Sequence, residues 1–262
     1  MSIVVHEITV LGTKGTKGEE GGTSAFLIDA HNVVDAGNLL RPMKEAVAEI
    51  ETIWLTHSHL DHIVDIAYIL DSYFSQRKKP LRLRGLPATL KAIQQHYLND
   101  VIWPDFSKIK LVESEEMALV YEPIIVEEVY PLDEESSVEA FATDHTVESC
   151  GYVINRGKSS VLITADTYDL RSAVDLAAKN NAITALVIEC SFPSSMDGLA
   201  KESKHLTPEL LFRGLKPLEK SGLKLYINHI KPLYEKRVRA EIEAKKGAWK
   251  VKILEDGEKI HF

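Results

Sequence analysis

Between residues 56 and 62 the chain reads Thr-His-Ser-His-Leu-Asp-His, which sets His57, His59, Asp61 and His62 directly behind the apolar run Ile53-Trp54-Leu55. Imidazole nitrogen and carboxylate oxygen are ligand atoms suited to zinc, with manganese or iron as lesser options. In a strand-to-turn segment His57 and His59 project from the same side and can reach one ion. Leu60-Asp61-His62 opens the next helix and turns its polar atoms toward the same pocket. The spacing therefore fits two divalent metals held close together with a coordination position left for water, the arrangement of a hydrolytic centre. The bland alternative is a polar helix start, with Asp61 as a cap and the histidines solvated.

The elements that must position these groups are read from periodicity. Strand-like alternation runs over Ile3–Val10, Ala25–Ile28 and Val33–Val34, with a turn at Ala30-His31-Asn32. The strand Ile53–Leu55 carries the histidines, and helical periodicity follows over Ile63–Tyr73 and over Ala88–Leu98 behind Pro87. Ala118–Glu139 is strand-like, as are Tyr152–Ile154 and Val161–Thr164. The last third alternates helix and strand: Leu170–Ala178, Ala185–Ile188, Thr207–Leu218, Leu223–Ile227, Tyr234–Glu243 and Val251–Leu254. Strands first with helices interleaved, then the same again, predict an α/β chain of two stacked mixed β-sheets with helices outside. No repeat, low-complexity tract or linker divides it, so residues 1–262 are expected to form one domain. The stretch Gly12–Gly18 lacks the spacing of a phosphate loop and no helix pattern follows it, so a flexible connection is expected there.

Composition narrows the partners. With 45% hydrophobic and 27% charged residues over 262 positions, the chain is ordinary for a globular protein. A formal charge of −8 and a pI near 5.7 argue against a nucleic-acid partner, whose binding rests on Lys and Arg contacts to phosphates. The basic clusters Gln76-Arg77-Lys78-Lys79 and Lys245-Lys246 read as solvated loop and helix ends. Two cysteines, Cys150 and Cys190, are too few for a disulfide scaffold, and Cys190 reads as buried and structural. The start MSIVVHEITV lacks the marks of a secretory signal, and no stretch is long and apolar enough to span a bilayer. A cytoplasmic protein without a membrane partner is expected.

The His-x-His-x-Asp-His string resembles the signature of the metallo-β-lactamase fold, an αβ/βα four-layer sandwich whose hydrolases hold two metals at the sheet edges. That resemblance implies further ligands in order. His145, beside Asp144, stands where the third histidine of the first metal is expected; Asp166, at the end of an apolar strand, where the bridging aspartate is expected; and His229, at the end of Leu223–Ile227, where the last histidine of the second metal is expected. His57, His59 and His145 are then assigned to one ion, and Asp61, His62 and His229 to the other. Asp35, before Ala36-Gly37, resembles the fold's buried acid that orients the metal loop, a role ligating histidines normally require. Glu189 reads either the same way or as a plain strand-end carboxylate.

Further stretches resemble the class II cyclic-nucleotide phosphodiesterases: Gly85-Leu86-Pro87-Ala88-Thr89, Asn99 through Trp103-Pro104-Asp105-Phe106, Glu189-Cys190-Ser191-Phe192-Pro193, His205-Leu206-Thr207-Pro208 and His229-Ile230-Lys231-Pro232. Asp65 stands where that family usually has a small residue, and Lys204 where it usually has glycine; neither is expected to touch a ligand. The resemblance implies a small-molecule cyclic-nucleotide substrate, turned into a 5′-nucleoside monophosphate, and a homodimer. Two metals about 3.5–4 Å apart would activate a bridging hydroxide and stabilise both the attacking and the leaving oxygen. Asp61 is the expected acceptor of the nucleophile's proton, and His205 the expected general acid for the ribose 3′ oxygen. Trp103, Phe106, Tyr168 and Phe192 are aromatic candidates for a face against the nucleobase. The rivals are a transfer-RNA 3′-processing endonuclease of the same fold, a lactone or thioester hydrolase, and a nucleotide-binding sensor without catalysis.

Overall fold

Residues 6–219 and 221–262 are described by a computed structural model. Of the strand expected over 3–10, residues 3–5 lie outside the described residues. The rest forms β1 (Glu7–Gly12), where Ile8 and Val10 are buried and Glu7 and Thr9 are half-buried, the period-two pattern of a strand with one covered face. The first half continues through β2 (Ala25–Leu27), β3 (Asn32–Val34), the single turn α1 (Leu40–Met43) and β4 (Thr52–Trp54). It ends with α2 (Leu60–Ile63), α3 (Asp65–Ser72), β5 (Leu81–Gly85), α4 (Pro87–His96) and β6 (Leu119–Pro123). The second half runs β7 (Val129–Pro131), β8 (Ser136–Ala142), β9 (Cys150–Arg156), β10 (Ser159–Ile163), α5 (Arg171–Lys179) and β11 (Ile183–Glu189). It closes with α6 (Asp197–Glu202), α7 (Pro208–Leu215), β12 (Lys224–Asn228), α8 (Glu235–Lys245), β13 (Val251–Ile253) and β14 (Lys259–His261).

The strands form two mixed sheets, in the orders β14-β1-β2-β3-β4-β5-β6 and β13-β12-β11-β10-β9-β8-β7. In each, antiparallel pairing on one side gives way to parallel pairing on the other: β3 to β6 run parallel in the first, β10 to β13 in the second. The sheets face each other across Ile8, Val10, Phe26, Trp54, Tyr152 and Val187. A second cluster packs the outer face of the first sheet under α3 and α4 through Ile53, Ile66, Leu70 and Ile93. A third packs the second sheet under α5, α7 and α8 through Leu186, Ile188, Leu211 and Val238. The order helix, sheet, sheet, helix buries one stripe of α3, α4, α5, α7 and α8 and both faces of the central strands, which is why β11 and β12 read as continuous apolar runs. Among the described residues no helix is long and apolar enough to cross a membrane.

Three differences from the sequence reading have physical causes. Ala118–Glu139 is not one strand region: the chain leaves the first sheet after Pro123 and enters the second at Val129, turning at Glu127, whose φ is 66°. The helix expected over Ile63–Tyr73 starts earlier and is broken at Asp65, whose amide bonds to the Ala36 carbonyl while its carboxylate accepts the Leu39 and Leu40 amides. Arg77 is not solvated. Its guanidinium lies buried and donates to the carbonyls of Ala48 and Ile50.

Candidate metal centre

The parallel strands deliver their following loops to one edge of the sandwich. There the turn after β4 brings His57, His59, Asp61 and His62; the β8–β9 loop brings His145; the turn after β10 brings Asp166; and the loop after β12 brings His229. All seven expected ligands are thus gathered, the second sheet supplying three. The backbone is bent to do it. Asp35, Ala165, Lys204 and His229 hold left-handed φ values of 59°, 54°, 53° and 60°, and each is at or beside a group of the site. Such conformations cost about 1–3 kcal/mol each and persist where surrounding contacts over-determine them.

The hydrogen bonds fix which nitrogen each ring turns to the centre. His62 Nδ1 donates to Asp35 Oδ2 at 2.6 Å. The Thr56 hydroxyl donates to Asp35 and so accepts from His57 Nδ1 at 3.0 Å. His145 Nδ1 donates to the Lys204 carbonyl at 3.0 Å, and His229 Nδ1 to Ser191 Oγ at 3.1 Å. With every Nδ1 of these four rings engaged, each Nε2 turns inward. His59 offers Nδ1, 3.0 Å from His57 Nε2 and 3.2 Å from His145 Nε2, while His62 Nε2 and His229 Nε2 stand 3.2 Å apart. Asp166 lies between the two groups, Oδ1 3.2 Å from His229 Nε2 and Oδ2 3.4 Å from His62 Nε2. Its Oδ1 is buried with no hydrogen-bond partner. Imidazole nitrogens converging at hydrogen-bond distance, beside an orphaned carboxylate oxygen, form a donor set that fits divalent cations.

The charges agree. Burial holds His57 well below the ordinary imidazole value and His145 down to about 4, so both are neutral and fit to ligate near pH 7. Burial alone would raise Asp61, but the hydrogen bond and charge of His229 and the charge of His62 hold it well below the usual carboxylate range. For Asp166 the surrounding imidazoles, His229 and His62 foremost, likewise overcome burial. His62 goes the other way: burial opposes its charge, but Asp166 and Asp35 together hold the proton on. A cation taking His62 Nε2 must therefore displace that proton, which makes its binding pH-dependent.

His205 belongs to a separate network. Its Nδ1 lies 2.8 Å from Glu189 Oε1, while Ser191 Oγ donates to Glu189 Oε2 at 2.9 Å. Burial would lower its pKa, but the Glu189 carboxylate raises it above the ordinary value. The ring stacks on His229 with centroids 5.4 Å apart, and His205 groups with Asp166 and His229 as a third set of atoms that could face a cation. Glu189 is therefore an orienting partner for His205, not a plain strand-end group.

Four features escaped the sequence reading. Thr56 and Ser191 link ligands to carboxylates. Lys204 does touch a ligand, through its backbone carbonyl on His145, and its ammonium pairs with Asp144. The glycine stretch is no free connection at its near end: the Thr13 carbonyl accepts the His229 amide at 2.6 Å and the Gly15 carbonyl accepts Lys231 Nζ at 2.8 Å. Only position could have pointed to the first two, Thr56 directly before His57 and Ser191 two residues past Glu189. Of the four aromatics, Phe106 is buried in the first core and Trp103 packs on Tyr68 and that core. Tyr168 packs on the third cluster, and Phe192 is buried beside His205 with Lys231 over its ring.

This architecture is the metallo-β-lactamase fold. The crystal structure of the metallo-β-lactamase fold protein YhfI from Bacillus subtilis matches over 98% of this chain and 99% of that one, at 17% identity and a TM-score of 0.76. Residues 23–245 match the family model of the class-II cAMP phosphodiesterases, and the chain belongs to that family. The 3′,5′-cyclic-nucleotide phosphodiesterase 1 of Saccharomyces cerevisiae is 26% identical over 236 residues, 78% of this chain and 62% of that protein. The crystal structure of unliganded yeast PDE1 superposes with a TM-score of 0.82 at 22% identity, covering 99% of this chain and all of that one. A ribonuclease Z of Borrelia hermsii is 27% identical over 164 residues, 56% of this chain and 47% of that protein. The chain thus spans less than two thirds of the length of these two curated relatives.

Proposed function

We propose that this protein is a metal-dependent phosphodiesterase that hydrolyses 3′,5′-cyclic nucleotides to 5′-nucleoside monophosphates, with residues 1–262 acting as one unit. The observation that carries the reading is the set of imidazole nitrogens closing around Asp166 within a chain of the class-II family. His57, His59 and His145 would hold one ion and Asp61, His62 and His229 the other, with Asp166 lying between the two groups. Divalent ions bound there, zinc by this nitrogen-rich donor set, would supply positive charge for the phosphodiester and would lower the pKa of a water toward neutral.

The chain's own groups carry the protons. The Asp61 oxygen not facing His229 accepts one from the attacking water, since a ligating carboxylate keeps free lone pairs. As the new bond to phosphorus forms, the bond to the ribose 3′ oxygen breaks, and that oxygen takes a proton from His205 Nε2. Glu189 holds the His205 ring in place and favours its protonated form before the transfer. The products are a free 3′-hydroxyl and a 5′-phosphate.

The test is direct. Metal is measured per purified chain, and conversion of cyclic AMP to 5′-AMP is followed with and without chelator. Two equivalents of metal and chelator-sensitive turnover are expected. Metal-loaded protein that trims precursor transfer RNA but leaves cyclic AMP intact would sink the reading in favour of the endonuclease, against which the net charge of −8 already weighs.

A further inference from the structure

Asp65 stands three positions after His62, where the class-II family usually has a small residue. It is half-buried, and a single oxygen, Oδ2, accepts the backbone amides of Leu39 at 2.6 Å and Leu40 at 3.0 Å. These are the first donors of α1, a helix start whose own capping residue, Leu39, has no side-chain oxygen to offer them. Leu39 is fully buried, so water cannot serve its amide in place of the carboxylate.

The segment pinned in this way is the one that carries Asp35. After β3 the chain leaves the sheet at Asp35 in a left-handed turn, and the residues that follow lie against the ligand turn. The Ala36 amide donates to the His62 carbonyl at 2.6 Å, and the Asp65 amide to the Ala36 carbonyl at 2.9 Å. Gly37 sits so close that a Cβ there would stand 2.0 Å from the Asp61 carbonyl oxygen. A shift of residues 36–40 therefore displaces Asp61 and His62, and moves the Asp35 oxygen that holds His62 Nδ1. The Ala36 bonds need only backbone. Those to Asp65 Oδ2 need this side chain, and a small residue at 65 would leave the Leu39 amide without its partner.

We infer that Asp65 is a positioning residue for the Asp61–His62–His229 group: its carboxylate clamps the Asp35 segment onto the ligand turn and so holds Asp61 and His62 in place for a cation. The inference rests on the metal-centre reading and adds a residue peculiar to this chain's version of the motif. His57 and His59 precede the clamped turn and His145 comes from the second sheet, so their group depends on Asp65 much less.

The test uses the full chain loaded with cobalt(II), whose affinity is measured by competition with a chromogenic chelator and whose visible absorption reports ligand geometry. Asp65→Ala removes the acceptor. Asp65→Glu keeps the charge but carries it one methylene beyond the two amides, and Asp65→Asn keeps an accepting oxygen without the charge. Asp29→Ala is the matched control: Asp29 Oδ1 also accepts two amides, of His31 at 2.8 Å and Asn32 at 2.9 Å, but at the opposite end of β3. In Asp65→Ala and Asp65→Glu one of two ions should bind about 10–100-fold more weakly, with an altered spectrum, while Asp65→Asn and Asp29→Ala stay near wild type. Affinity within about twofold of wild type in Asp65→Ala, or in Asp65→Glu should the alanine variant not fold, overturns the inference. So does an equal loss in Asp29→Ala, which would trace the effect to general stability, or in Asp65→Asn, which would trace it to charge alone. Wild-type protein that takes up neither cobalt nor zinc overturns the metal-centre reading itself, a result distinct from these.

Discussion

The Glu189 carboxylate lies 2.8 Å from Nδ1 of His205 and receives the Ser191 hydroxyl on its other oxygen, so the buried acid is anchored at both ends while it holds the imidazole. In the proposed mechanism protonated His205 is the active form, and Glu189 raises its pKa above the ordinary imidazole value, so turnover should persist through neutral pH and fall on the alkaline side. Glu189→Gln removes the charge that opposes burial; the His205 pKa then drops and the alkaline limb of the kcat profile moves to lower pH. At neutral pH kcat should fall toward the loss of about 10²–10⁴-fold typical of a missing acid, with KM much less affected. An unmoved limb in Glu189→Gln would show that His205 is not the proton donor.

Asp35 accepts from the Thr56 amide, the Thr56 hydroxyl and His62 Nδ1 while itself almost fully buried. Asp35→Ala strands all of these donors. Metal affinity should weaken by about 10–100-fold, the usual effect of removing a group that orients a ligating histidine. Competition with a chromogenic chelator measures it, and Asp35→Asn, which tolerates the left-handed backbone, should be less damaging.

Two glycines abut ligands closely enough to make a methyl group informative. A Cβ on Gly15 would stand 2.5 Å from the His229 carbonyl oxygen and 2.8 Å from its Nδ1, and one on Gly37 would meet the Asp61 carbonyl. Gly15→Ala and Gly37→Ala should therefore lower the occupancy of the His62–Asp61–His229 group and leave that of His57–His59–His145 closer to wild type. Metal stoichiometry by atomic emission checks this; a full complement in both variants would contradict it.

Lys204 carries a left-handed φ of 53°, and its ammonium pairs with Asp144 through side chains 39% and 42% exposed. Relief of the backbone strain in Lys204→Gly is worth about 1–2 kcal/mol, against about 0–1 kcal/mol for an exposed pair. The added flexibility of glycine takes back roughly 0.5–1 kcal/mol. The carbonyl on His145 survives the change, so thermal stability should hold or rise slightly and kcat should stay within a few-fold. A loss beyond tenfold would give the Lys204 side chain a part in the reaction that its carbonyl does not explain.

Much of this centre was legible because its densest part is local. Four groups within six positions behind an apolar strand announce themselves, and the alternation of strand and helix gave the two-sheet plan. His145, Asp166 and His229 could be placed only by their order along a familiar pattern, since nothing in their immediate neighbours distinguishes a ligand from a surface residue. The rest was hidden for physical reasons. A carbonyl such as that of Lys204 has no letter of its own, and the burial of Arg77 depends on carbonyls nearly thirty residues upstream. The passage at Ile124–Val126 looks like strand because it is apolar, although Ile124 and Val126 pack on the core between the sheets from the crossing between β6 and β7 and not from a strand.

His62 and His229 face each other at 3.2 Å from positions 167 residues apart, each delivered by a different sheet. Cations held there would act as a rivet across the seam of the sandwich, resisting any shear of one half against the other. Stripping the metal should thus speed amide hydrogen exchange at this edge of both sheets together, while the strand ends away from the cluster stay as slow as before.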